Sequence, residues 1–352
     1  MRYRLALAAV VLQVLVLAYM AGEREWIIRN GRTLLLRTAP MDPNDPMRGD
    51  YARLDYDIGQ VPKTLCTGGL AKLFAPNVIY QRGTDTLVYA RLKLDETGVA
   101  ELTSLSDQRP ADGLFVRGRV ESASVGMLRI RYGIEALFMQ QGSAQKLEDM
   151  RRNEKPGVPL DMQVAVGPSG IAVLKGYQWE PLGITVTFER NPAPPAGGQS
   201  PRRPSPPQLI TAVKVQLKNH GTGDVAIVAP RDGSSFRLVP DQRWSEPRYD
   251  WVGTKQTALA PTADDVIVLK PGQSHTTRID LTQSEWFVTD LKAAPEAQKP
   301  MALREVTETW AASFRIEYAP PAKASVTGLP HAELIRSGRL RSRAFNPTAG
   351  QD

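Results

Sequence analysis

Ala52-Arg53-Leu54-Asp55-Tyr56-Asp57-Ile58 alternates apolar and charged side chains along its whole length. A period of two puts Ala52, Leu54, Tyr56 and Ile58 on one face and Arg53, Asp55 and Asp57 on the other, the pattern of a strand with one side buried and one side wet. Similar short runs recur at 33–37, 86–94, 114–121, 127–132, 162–166 and 171–177, separated by Gly, Pro and Asp turns. Only 143–152 has helical spacing, with Ser143 placed as its N-cap. The fold class expected from these patterns is mainly β.

The approach to the opening strand reads Pro40-Met41-Asp42-Pro43-Asn44-Asp45-Pro46-Met47-Arg48-Gly49-Asp50-Tyr51. Three prolines fix the backbone, Asp42 and Asp45 suit turn-capping hydrogen bonds, and Gly49 permits a positive φ just before pairing begins. Asp50 then accepts amide hydrogens while Leu54 and Tyr56 enter the core. This structural reading is preferred to a hard-cation site built from Asp42, Asp45 and Asp50, whose spacing fits no standard calcium loop. Arg48-Gly49-Asp50 also spells an adhesion tripeptide, but three residues recur by chance. A Ser–Lys peptidase pattern is excluded because no serine precedes Gly49.

The stretch Gly49-Asp50-Tyr51, with Leu54 and Tyr56, resembles the bacterial family named for its G-D-Y-x-x-L-x-Y motif. A second block, 128–135 with Tyr132, Gly133 and Glu135, followed by Leu147-Glu148 and then 164–176, is similar to that family's later region. Together these blocks cover about residues 27–180. At Met139-Gln140-Gln141-Gly142 the chain lacks an acidic residue that members often carry after this block. The resemblance implies a membrane-anchored extracytoplasmic protein of unknown activity, often in company with multi-spanning membrane proteins. It supplies no catalytic residue.

Further along, seven prolines fall between 191 and 207, together with Gly197, Gly198, Arg202 and Arg203. No packed element survives that composition, so 191–207 is expected as a loop. Because the run 184–189 can pair with later strands, the loop is read as an insertion in a second domain. Candidate strands follow at 212–217, 236–239, 266–269, 276–281 and 314–318, and many short strands at regular spacing suggest an immunoglobulin-like β-sandwich. Trp244, Tyr249 and Trp251 cluster in a polar stretch that reads as an edge loop, where aromatics serve either packing or partner binding. The expected organisation is an anchor at 1–22, a β-rich domain at 23–180, a sandwich at 181–321 and a mobile basic tail at 322–352.

Leu5 to Ala21 forms a run of 17 residues without charge, preceded by Arg2 and Arg4. That is about the minimum for a membrane-spanning helix. Small residues do not occupy the positions a signal-peptide cleavage site requires, so an uncleaved anchor is expected. The positive-inside rule puts the short N-terminus in the cytoplasm and the bulk in the periplasm, outside the inner membrane.

The formal net charge of +7 does not point to nucleic acid, because it is not clustered in a folded region. Residues 23–180 carry 21 basic and 20 acidic side chains, and 181–321 carry 16 and 15. A single cysteine, Cys66, forms no internal disulfide or zinc motif. His220, His275 and His331 stand at no metal-ligand spacing, and there is no phosphate loop, dinucleotide fingerprint or nucleophile elbow. No cofactor is therefore expected. The functional expectation is a binding or accessory subunit for a polytopic membrane protein. The alternative is an envelope polysaccharide or peptide hydrolase that uses paired carboxylates.

Overall fold

The structure, a computed structural model, describes residues 2–38, 51–74, 81–82, 85–124, 126–138, 143–190, 210–241, 248–253, 261–306 and 313–347. It begins with a helix, Arg2–Asn30, in which the apolar run is unbroken and none of that run is buried. Leu5, Leu12 and Leu17 expose 69%, 63% and 66% of their surface. An all-round apolar run with no packed face among the described residues matches a lipid environment rather than a soluble surface. Beyond Ala21 the helix turns polar and continues to Asn30 without interruption.

The chain divides into two compact units, Met1–Ala144 with Leu160–Gln178, and Gln145–Pro159 with Trp179–Asp352. In the first unit, strand Arg32–Arg37 pairs antiparallel with Leu160–Val166, which is followed in the sheet by Ala172–Trp179. A larger antiparallel sheet is built on Leu87–Leu94, Ala100–Ser106, Leu114–Ala123 and Met127–Arg131, with Gln60–Pro62 at one edge. Their alternation buries Val88, Ala90, Leu105, Val116, Val120 and Ile130. A parallel pair, Cys66–Thr67 beside Leu105–Ser106, extends the other edge.

The alternating run at 52–58 is not one strand. Tyr51–Arg53 pairs with Ala136–Phe138, Tyr56 makes an isolated bridge to Thr38, and Asp57–Gly59 turns as a 3₁₀ helix. Burial still follows the alternation, because Leu54, Tyr56 and Ile58 are buried while Asp57 is exposed. The helix expected over 143–152 stops at Asp149, and a π-helical turn, Met150–Glu154, follows it.

The second unit carries strands Leu182–Arg190, Ile210–Asn219 and Ser274–Asp280 in one antiparallel sheet, so the strands on either side of the Pro-rich stretch pair with each other. Smaller sheets join Val225–Val228 to Val266–Leu269, Tyr249–Trp251 to Val288–Asp290, and Phe236–Pro240 to Phe314–Tyr318. One core serves them all, with Ile184, Val215, Phe236, Ile279, Trp286, Phe314 and Ile316 among its members.

The segment expected as a mobile tail beyond Pro321 has fixed partners through Pro347. Leu340–Arg341 pairs with Phe314–Tyr318, and Leu340 is fully buried. Phe345 and Phe314 exchange backbone hydrogen bonds of 2.8 and 2.9 Å, and Phe345 packs on Phe188. Basic residues in this segment are also engaged: Arg341 pairs with buried Glu317 at 2.7 Å and Arg336 with buried Glu180. Composition signalled a tail because charge and Gly/Ser content carry no information about a two-residue strand completing a distant sheet.

In the first unit, Arg37 and Asp161 are directly opposite in register and form a two-pronged ion pair at 3.0 and 3.1 Å. Asp161 has no exposed surface. Arg37→Leu should therefore strand a buried carboxylate and lower stability by about 3–5 kcal/mol, read as a reduced urea midpoint in the detergent-solubilised protein.

Candidate functional site

The two motif blocks meet in the first unit and hold each other through their tyrosines. Tyr56 donates its hydroxyl hydrogen to the carbonyl of Ile134 at 2.8 Å, and Tyr132 donates to the carbonyl of Ile58 at 2.8 Å. Each ring belongs to one block and each acceptor to the other. Both rings are buried, so each hydroxyl satisfies a backbone oxygen that water does not reach. Burial, and after it the nearby Glu135 carboxylate, pushes both phenols well above their ordinary range. They stay protonated and serve as donors.

Glu135 ties the turn together. Its carboxylate accepts from the amides of Tyr132 and Gly133, the latter at 2.9 Å, and its own carbonyl accepts from the amide of Leu54 at 2.7 Å. Gly133 has φ +81°, which a side chain would strain. Gly118, on the neighbouring strand, leaves room for the Tyr132 ring: a Cβ there would stand 2.9 Å from the Tyr132 Cδ1 atom and 2.7 Å from Ile130.

Thus Leu54, Tyr56, Tyr132, Gly133 and Glu135 come together, and Tyr51 joins through the backbone of its strand, opposite Phe138. Arg48, Gly49 and Asp50 lie outside the described residues, as do Asp42 and Asp45 of the candidate cation loop and the Met139–Gly142 stretch. The alternation pointed to the buried faces, but the exchange of hydroxyls had no signal in sequence. It depends on blocks about eighty residues apart.

A scan against family models matches residues 13–176 to the family described as GDYXXLXY protein. This part of the chain is a GDYXXLXY domain. Comparison with curated proteins and with solved structures gives no match. The family match ends within the Ala172–Trp179 strand, so apart from residues 145–159 the second unit lies outside the matched region.

In the second unit the expected aromatic loop is a strand. Tyr249 is buried, and Trp251 stacks on Trp286 at 5.7 Å while its indole N–H donates to the carbonyl of Glu285 at 2.8 Å. Packing consumes these rings; Trp244 is outside the described residues. A shallow recess of about 180 Å³ is lined by Asn153, Glu154, Thr185, Gln216, Lys218 and His220, among others. His220 is held below its ordinary pKa by burial first and then by Lys218 and Lys155, so it is neutral at pH 7.

The buried carboxylates are committed to arginines: Asp161 to Arg37, Glu180 to Arg336, Asp290 to Arg248 and Glu317 to Arg341. Among the described residues no group of three His, Cys, Asp or Glu side chains is arranged to hold a metal. Cys66 is buried, and burial, partly opposed by Lys63, pushes its thiol up to about 11.

Two measurements follow from this geometry. Tyr56→Phe and Tyr132→Phe should each cost about 1–3 kcal/mol, because each leaves a buried carbonyl without its donor; chemical denaturation of the two variants reads this out. Cys66 should resist a disulfide-exchange reagent in the native protein at pH 8 and react on unfolding, since the folded state keeps the thiol protonated well past pH 9. Rapid labelling of the native protein would contradict the buried placement.

Proposed function

We propose that the protein is a single-pass, inner-membrane-anchored subunit whose GDYXXLXY domain and immunoglobulin-like sandwich stand in the periplasm and serve a polytopic membrane protein by binding. The observation that carries this reading is the first helix, whose apolar run 5–21 has no packing partner among the described residues. An exposed run of this length is stable only where water is absent. Arg2 and Arg4 ahead of it support a cytoplasmic N-terminus. The binding role is supported by how the motif residues are used. Tyr56, Tyr132 and Glu135 spend their polar atoms on the backbone of their own domain, as a scaffold does.

The hydrolase reading gains no support from the acids, since the buried carboxylates are each neutralised by an arginine. The test is to tag the C-terminus, solubilise membranes in mild detergent and identify what co-purifies. A stoichiometric polytopic membrane protein is the expected result, and protease added outside spheroplasts should remove the tag. Repeated recovery of the protein alone contradicts the accessory role, and a tag shielded until lysis contradicts the orientation.

A further inference from the structure

We propose that the rim of the GDYXXLXY domain formed by Arg109, Phe115 and Arg117 beside the 167–170 loop binds the phosphate headgroups of anionic phospholipids. The helix Arg2–Asn30 fixes where this rim stands. Its apolar run ends at Ala21, and Ile27 lies six residues further, about 9 Å along the axis. The headgroup layer outside the hydrocarbon is about 5–8 Å thick. Ile27 therefore emerges at the outer edge of that layer.

At that point the helix is seated on the domain. Ile27 is only 1% exposed and packs against Ala165 and Val173, with Ile28 and Ile171 beside it. Gly167 approaches so closely that a Cβ there would lie 2.9 Å from Ile27 Cγ1. No slack separates anchor from sheet, because strand Arg32–Arg37 starts two residues after the helix ends. Trp26, half exposed on the same helical turn, is the kind of side chain that favours the membrane interface.

The same short loop that receives Ile27 also holds the basic rim. Arg109 donates from Nη2 to the carbonyl of Pro168 at 2.8 Å, and its guanidinium lies over the Phe115 ring at 5.8 Å. The amide of Arg117 donates to the carbonyl of Gly170 at 2.8 Å, and a Cβ on Gly170 would stand 2.7 Å from the Phe115 ring. The neighbouring arginines are neutralised: Arg91 by Asp112, Arg119 by Asp85, Arg129 by Glu121 and Asp55. Among the described residues neither Arg109 nor Arg117 is ion-paired. Arg109 and Arg117, set beside the loop that seats Ile27, suit lipid phosphate, which a planar guanidinium fork binds through paired hydrogen bonds.

The proposal rests on the helix lying in a bilayer but on no partner protein. The test uses the full chain in nanodiscs of phosphatidylcholine, with or without phosphatidylglycerol, read by hydrogen exchange over 107–119 and 166–171 and by native mass spectrometry of retained lipid. Phosphatidylglycerol should slow exchange in both segments. R109Q/R117Q should lower its retention roughly thirtyfold, whereas R91Q/R119Q should not. Identical exchange in the two discs overturns the proposal, and this wild-type comparison stands even if the variant folds poorly. Equal retention by R109Q/R117Q also overturns it, as does the same protection from inorganic phosphate over phosphatidylcholine alone. A chain that does not float with the discs overturns the anchoring reading itself, a failure distinct from the absence of lipid preference.

Discussion

Burying a phenol takes its ring out of water at a gain, but its hydroxyl must then find a partner or the gain is largely lost. In the GDYXXLXY domain two tyrosines meet that demand reciprocally, Tyr56 on Ile134 and Tyr132 on Ile58. Each bond closes a loop between the two blocks, and each supplies a donor to a carbonyl outside the regular ladders. The exchange depends on Gly118, which leaves space for Tyr132, and on Glu135, which holds the turn that presents Ile134. Leu54, Tyr56, Tyr132, Gly133 and Glu135 are thus accounted for by packing and hydrogen bonding.

That rigidity extends towards the membrane. Thr38, bridged to Tyr56, donates its hydroxyl to Leu160, and Arg37 beside it pairs with the wholly buried Asp161. At its other end the same strand joins the helix, and Leu160–Val166 runs alongside towards the loop that receives Ile27. The clasp and the helix seat are therefore two ends of one small sheet. A domain tied to its N-terminal helix in this way keeps a fixed orientation to that helix, whereas a flexible tether would let it sample many.

The second unit achieves its closure differently, by many small sheets around one core. Asn219, fully buried, donates to the carbonyls of Gly223 and Leu269 and accepts from Gly221, so one amide fastens a turn to a separate sheet. Tyr318 accepts from the amide of Val228 in the same manner, and Ser342 accepts from the amide of Ile316. Such joints replace the long ladders that a larger sheet would have. The C-terminal segment is needed for them, since Leu340 and Phe345 complete the core.

Much of the β character was legible from periodicity alone, because a half-buried strand must alternate; the runs at 87–94, 114–123 and 266–269 fall where the alternation or apolar clustering put them. The apolar N-terminal helix was equally legible, since 17 uncharged residues in one run are long enough to cross a bilayer as a helix. What the sequence left undecided is whatever depends on residues far apart in the chain. Alternation at 52–58 marked the correct buried side chains but not the break in the strand, which is set by partners at 38 and 136–138. The aromatic pair Tyr249 and Trp251 read as a loop because their partners lie near 286–290, and the segment after Pro321 read as loose because its partners lie at 226 and 314–318. Local pattern fixes which face of an element avoids water. Only the tertiary structure decides what covers that face, because the covering surface comes from another part of the chain.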